Sequence, residues 1–224
     1  TSLLKQMNAG GRSVISQSAP KSKANDPRAA NKKLTADSVK LSWRSSGRDL
    51  EKAEASGNAE LFIEPVTSSA RAERRKLNAP QFDCDFFESG NLARTCKASG
   101  GAKAVMDPLQ PDPKRGTRTF TSQNMTAVFV RDTQDVERLD GQGDGKFNEN
   151  DRNGVAANVS YTAADETVRL RGGDPTVWDS RGRTKAVELD SDLANDVSYA
   201  RGRAATTYYS QEQTNGATPF SKTK

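Results

Sequence analysis

The chain has no histidine. That removes the commonest general base and the commonest metal ligand in one stroke. No apolar run reaches membrane-spanning length. Hydrophobic residues make up only 33% of the 224 residues, against 28% charged. A chain so poor in apolar residues does not cover both faces of a sheet and also fill a thick closed core; it suits sheets that are dry on one face only. There is no nucleophile elbow, no phosphate-binding glycine loop and no zinc spacing, and an enzyme is not expected. No cofactor is expected either. The first residue is Thr1, so the expected history is processing or excision from something longer, with any signal or anchor left behind.

Net charge is +5 and the pI is near 9.2, with Lys/Arg and Asp/Glu interspersed. This reads as solubility with some attraction to anionic partners, not as a nucleic-acid footprint. Many carboxylates are present, among them Asp37, Asp83, Asp85, Asp165, Glu166, Asp190 and Asp192, but they fall on the predicted wet face or at hairpin tips. Apolar neighbours that would raise a carboxyl pKa are missing there.

What the chain does have is a repeat. Ala36, Ala79, Ser122, Ala156 and Ala186 open five units, and Gly57, Gly100, Gly143, Gly172 and Gly202 recur on their second arms. The stretch Leu34 to Met106 holds the first two units, and opening to glycine is 21 residues in each. Every unit reads as a strand, a tip and a second strand that crosses a glycine, which is a long β-hairpin. Recurrence at a fixed period is the signature of a stacked architecture. A glycine inside a strand permits a bulge or sharp bend. Five bends in phase fold the stack into two facing sheets with a slot between apolar walls.

Alternation within each unit names the walls of that slot. On the first arms the inward positions hold Val39, Leu41 and Trp43, then Phe82 and Phe86, then Met125 and Phe129, then Val159 and Tyr161. On the second arms they hold Leu61 and Ile63, Met106, Leu139 and Phe147, Leu170 and Trp178, and Tyr208. A filled sandwich core accounts for such a row as simply as a ligand slot does.

Cys84 and Cys96 lie on the two arms of the second hairpin. With Ser89-Gly90-Asn91 as its turn, they fall directly opposite one another, close enough to bond as a non-hydrogen-bonded pair. A disulfide is expected, and with it an oxidising compartment. Two further stretches carry candidate chemistry. Asp140, Gln142, Asp144, Gly145, Asn148 and Asp151 match positions of a calcium loop; the simpler reading is a polar turn after a bend, since Gly143 belongs to the repeat. Arg71 to Lys76 is a basic cluster that suits phosphate, or merely solvent.

The organisation expected is a preceding repeat's last strand plus a flexible linker over 1–33, hairpins over 34–210, and a polar tail over 211–224 leading onward. Gln17 to Lys33, Pro65 to Lys76 and Asp107 to Gly116 read as loops.

The recurring Leu34-Thr-Ala-Asp with Ala55-Ser-Gly-Asn-Ala59 resembles the OstA-like repeats of the lipopolysaccharide-transport proteins LptA and LptC and of the N-terminal domain of LptD. The same pattern returns at Tyr161 through Val168-Arg-Leu-Arg-Gly-Gly-Asp-Pro-Thr-Val-Trp178. It appears again at Ala200-Arg-Gly-Arg-Ala with Thr206-Thr-Tyr-Tyr209. The resemblance implies an all-β jellyroll or "taco" of two V-shaped sheets in the periplasm. It implies a non-enzymatic carrier that shields lipid A acyl chains in the slot, and joining to other such jellyroll proteins by edge-strand addition. Any membrane contact would come through a missing anchor or a transporter partner. The competing expectation, from a different class, is a structural or adhesion β-repeat with a closed core and no lipid.

Overall fold

The computed structural model describes residues 3–19, 29–67, 72–112 and 115–209. These form strands and turns, with no helix long and apolar enough to cross a membrane among them. The strands are β1 (Gln6–Gln17), β2 (Ala30–Trp43), β3 (Leu50–Pro65), β4 (Glu73–Phe86), β5 (Ala93–Pro108), β6 (Arg118–Phe129) and β7 (Val136–Glu149). They continue as β8 (Arg152–Thr162), β9 (Thr167–Arg171), β10 (Thr176–Trp178), β11 (Gly182–Lys185), β12 (Glu188–Asp192), β13 (Val197–Arg201) and β14 (Ala205–Tyr208). All pair antiparallel in one 14-stranded sheet.

Each ladder from β1 to β8 breaks register once in mid-strand. Thr35/Ser38 faces Ser56/Glu60, Asn78/Gln81 faces Ser99/Lys103, and Thr121/Asn124 faces Gln142/Lys146. The break is a pair of residues in the left-handed region: Gly57 and Asn58 at φ 75° and 48°, Gly143 and Asp144 at 77° and 52°. Glycine takes that conformation without penalty, and Asn and Asp tolerate it. At Gly57 there is also no room, since a Cβ would come within 2.7 Å of the Asp37 Cβ. The same device sits in β1 at Gly11 and Arg12.

The breaks divide the sheet into two halves. In one half β8 continues to β9, β12 and β13; in the other it continues to β10, β11 and β14. The opening residues Ala36, Ala79, Ser122, Ala156 and Ala186 line the crease, all buried. Small side chains are what a crease admits. Buried apolar groups from both halves pack into one cluster, so the halves face each other as a V. Its mouth lies between the hairpin tips of the first half and the outer strand ends of the second.

Three stretches expected as loops are partly strand. Lys32 and Lys33 pair with Gln17 and Ser16 on one side and with Ile63 and Phe62 on the other. β4 begins at Glu73, and β5 runs through Asp107 to Pro108. These residues are polar because they are ion-paired across strands, Lys76 to Glu60 at 2.8 Å and Arg74 to Glu64 at 2.9 Å, not because they are loops. The rest of the expected linker at 20–28, and the tail over 211–224, lie outside the described residues.

The stretch that matches calcium-loop positions is a strand and a tight turn, the simpler of the two readings. Asp140 pairs with Arg138 at 2.7 Å, and Asp151 accepts from the Ser180 hydroxyl at 2.8 Å. Alternation along β7 keeps the would-be ligands from converging. No cluster of metal-ligating side chains forms among the described residues.

Candidate functional site

At the β1 end the two walls stand apart around a cavity of about 340 Å³. Leu41, Trp43, Phe82, Phe86 and Phe129 line it from the first half-sheet, and Leu34, Leu61 and Ile63 from the second. Cys84 and Cys96 form part of its wall and are joined in a disulfide, Cα to Cα 4.1 Å, at the register the turn predicts. Met106 and Leu139 lie next along the trough, where only a small space of about 40 Å³ remains.

Further along, the walls meet. Met125, Phe147, Val159, Tyr161 and Leu170 are buried among their neighbours, as is Val39 on β2 beside the crease at the cavity end. Phe120, which no motif singled out, sits 5.1 Å from Phe147 and 5.7 Å from Tyr161, ring centre to ring centre. The residues expected along one wall therefore divide between a cavity at one end and a packed core in the middle.

Two of them leave the row. Tyr208 is 82% exposed, because β14 is the last described strand and no described residue covers this side chain. Trp178 is half-buried outside the core, and Val177 takes the core position. The cause is an extra left-handed residue, Asp174 at φ 57°, after Gly172 and Gly173. One added residue exchanges the two faces of a strand.

The feature hidden from motif reading is a cross-strand row on the second half-sheet. Gln17, Lys32, Ile63, Arg75, Met106, Arg118, Glu149 and Arg152 are successive register partners along one lip of the mouth. Lys32, Arg75, Arg118 and Arg152 each stand four residues before a unit's opening, Ala36, Ala79, Ser122 and Ala156. That is a repeat signal obscured by reading their surroundings as linker.

Three of the four cations are paired, and they lace the mouth shut. Arg75 reaches the opposite lip, donating to the Gln134 carbonyl at 3.3 Å and pairing with Asp135 at 2.5 Å. Arg118, 1% exposed, pairs with Glu73 and donates to the Tyr161 hydroxyl on the facing wall at 2.7 Å. Burial opposes its charge, but Glu73 and then Tyr161 and Glu149 outweigh that and hold its pKa above the ordinary value. Arg115 adds a second bond to Glu73 at 2.8 Å. Arg152 pairs with Asp196 on the facing tip at 2.6 Å. Glu149 is buried as well, which pushes its carboxyl up despite Arg118 and Arg152. The described members of the Arg71–Lys76 cluster thus serve this lacing and its neighbours. None of Arg74, Arg75 and Lys76 is left for a phosphate.

No family model matches the chain, and no curated protein matches it. Among solved structures, it is similar to LptH from Pseudomonas aeruginosa, the LptA homologous periplasmic component of the conserved lipopolysaccharide transport device. The TM-score is 0.44 at 12% identity, over 79% of this chain and 93% of that one. The fold is all-β in both readings, from sequence and from structure.

Proposed function

We propose that this chain is a non-enzymatic periplasmic carrier that shields acyl chains of lipopolysaccharide, its lipid A part, in the cavity between the two half-sheets. The observation that carries the reading is the cavity itself. A chain with little apolar material leaves about 340 Å³ unfilled between aromatic and aliphatic walls. An empty apolar space forfeits packing, and a fatty tail restores it at about 0.8 kcal/mol per buried methylene. The OstA-like repeats favour the same reading, and the disulfide suits an oxidising compartment such as the periplasm.

Further Lpt-type jellyrolls are the proposed partners. Among the described residues β1 has a neighbour on one side only, as does β14, and an unpaired edge accepts a strand from another chain.

A second reading, a structural or adhesion repeat with a closed core, draws on the filled middle around Phe120, Phe147 and Tyr161. Extraction of the protein purified from a lipopolysaccharide-producing host separates the two. The carrier yields acylated lipid by mass spectrometry, and Phe86→Arg loses it while the β-sheet circular dichroism persists. Absence of lipid, together with no lipid adduct from a photo-crosslinker at position 86 or 129, would defeat the carrier and leave the structural reading.

A further inference from the structure

Among the described residues Lys32 is the one charged side chain lining the cavity, and no carboxylate pairs with it. It is half-buried, and its strand neighbours on the same row are Gln17 and Ile63. Burial, and then the charge of Arg75, push its ammonium below the ordinary lysine value. A cation in that setting lacks what every other cation of the row has. Arg75, Arg118 and Arg152 each hold a carboxylate, from Asp135, Glu73 and Asp196. Of the other polar lining groups, Gln17 carries no charge, and the two on the facing lip are engaged elsewhere. Asn91 and Gln134 on the facing lip are occupied with backbone, Asn91 accepting from the Leu50 amide at 2.6 Å and Gln134 bonding both the amide and the carbonyl of Ala93.

Geometry adds a direction. Lys32 is two residues from the start of β2, at the lip, while Leu34 and Leu61 lie deeper on the same wall. A ligand with its tail between the walls would bring its polar end out beside this ammonium. A buried cation is relieved by a partner that forms charge-assisted hydrogen bonds.

We propose that Lys32 is the headgroup contact of this cavity, so that it selects amphiphiles carrying an oxyanion, phosphate or carboxylate, next to the aliphatic tail. The inference rests on the carrier reading and adds the ligand's charge and its orientation. Rungs two strands apart, about 10 Å from one another, continue the cation row beyond it. There each position that an anion could take is filled by a protein carboxylate.

The test is displacement of a fluorescent fatty probe from the delipidated full chain by dodecyl phosphate, laurate, dodecanol and dodecylamine, with inorganic phosphate alone as a further arm. Dodecyl phosphate, laurate or both should displace the probe about tenfold more tightly than dodecanol, the size of one charged hydrogen bond. Which of the two leads identifies the oxyanion. Lys32→Met should shrink that preference to within about twofold, and Lys32→Glu should turn it toward dodecylamine, following the sign of the charge. Lys33→Met, altering an exposed neighbour, should keep it. Displacement by all the tails alike, unchanged in Lys32→Met, would overturn the inference and leave the carrier standing. No displacement by any tail would remove both. Displacement by inorganic phosphate alone would also overturn it, by making the site one for a free anion.

Discussion

The buried pair of Arg118 and Glu73 gives the sharpest quantitative check on the architecture. Arg118→Met keeps most of the volume and removes the charge. It leaves the Glu73 carboxylate, 6% exposed, with Arg115 as its remaining cation, and strips the Tyr161 hydroxyl of its donor. Breaking a buried pair from one side costs about 3–5 kcal/mol. Because Arg115 stays at 2.8 Å, the lower end applies, about 3 kcal/mol. For a chain of this size that is a fall in melting temperature of roughly 6–12 °C. The double variant Arg118→Met/Glu73→Gln should recover part of the loss, since the buried carboxylate leaves with its cation, while Arg115 and Glu149 each lose a partner and keep the recovery incomplete. Tyr161→Phe should cost only about 1 kcal/mol, one hydrogen bond. Urea unfolding of the four proteins measures the set. A loss under about 1 kcal/mol for Arg118→Met, or no recovery in the double variant, would refute a water-excluded pair spanning the trough.

Two more outcomes follow from other parts of the fold. Alkylation should add two modified thiols to the intact mass only after reduction, and the Cys84–Cys96 link, closing a sequence separation of 12, should contribute about 3 kcal/mol in the chain-entropy account; alkylation of both thiols in the unreduced, unfolded protein would exclude the bond. Asp190 is pushed up by burial, but the hydrogen bonds from Arg171 and Arg201, both 2.6 Å, outweigh that and hold its carboxyl below the usual range. A depressed carboxyl pKa stabilises the fold above the unfolded value and loses that contribution as pH falls through the folded one, here below about pH 4. Asp190→Asn should therefore lower stability at pH 7 and flatten the acid limb; an acid limb of unchanged slope would contradict it.

Legible in the residues alone were the hairpins, their bends and the register of the second hairpin. Period-two alternation states which face a residue takes, and a glycine at a fixed offset states where the strand must turn left-handed. Both are local properties of the backbone, so Gly57, Gly100 and Gly143 and the pairing of Cys84 with Cys96 could be read without coordinates. Tertiary structure alone decided how far apart the facing walls stand. Alternation marks Phe86 and Phe147 as equally inward, yet one lines a cavity and the other is packed against Phe120, because wall separation depends on what the opposite half-sheet contributes. The same holds for the lip. Arg118 finds its carboxylate 45 residues away and Lys32 finds none among the described residues, and a charge's meaning is fixed by the partner that folding brings to it. Trp178 marks the limit of counting: one extra left-handed residue at Asp174 moved its side chain out of the core and put Val177 there.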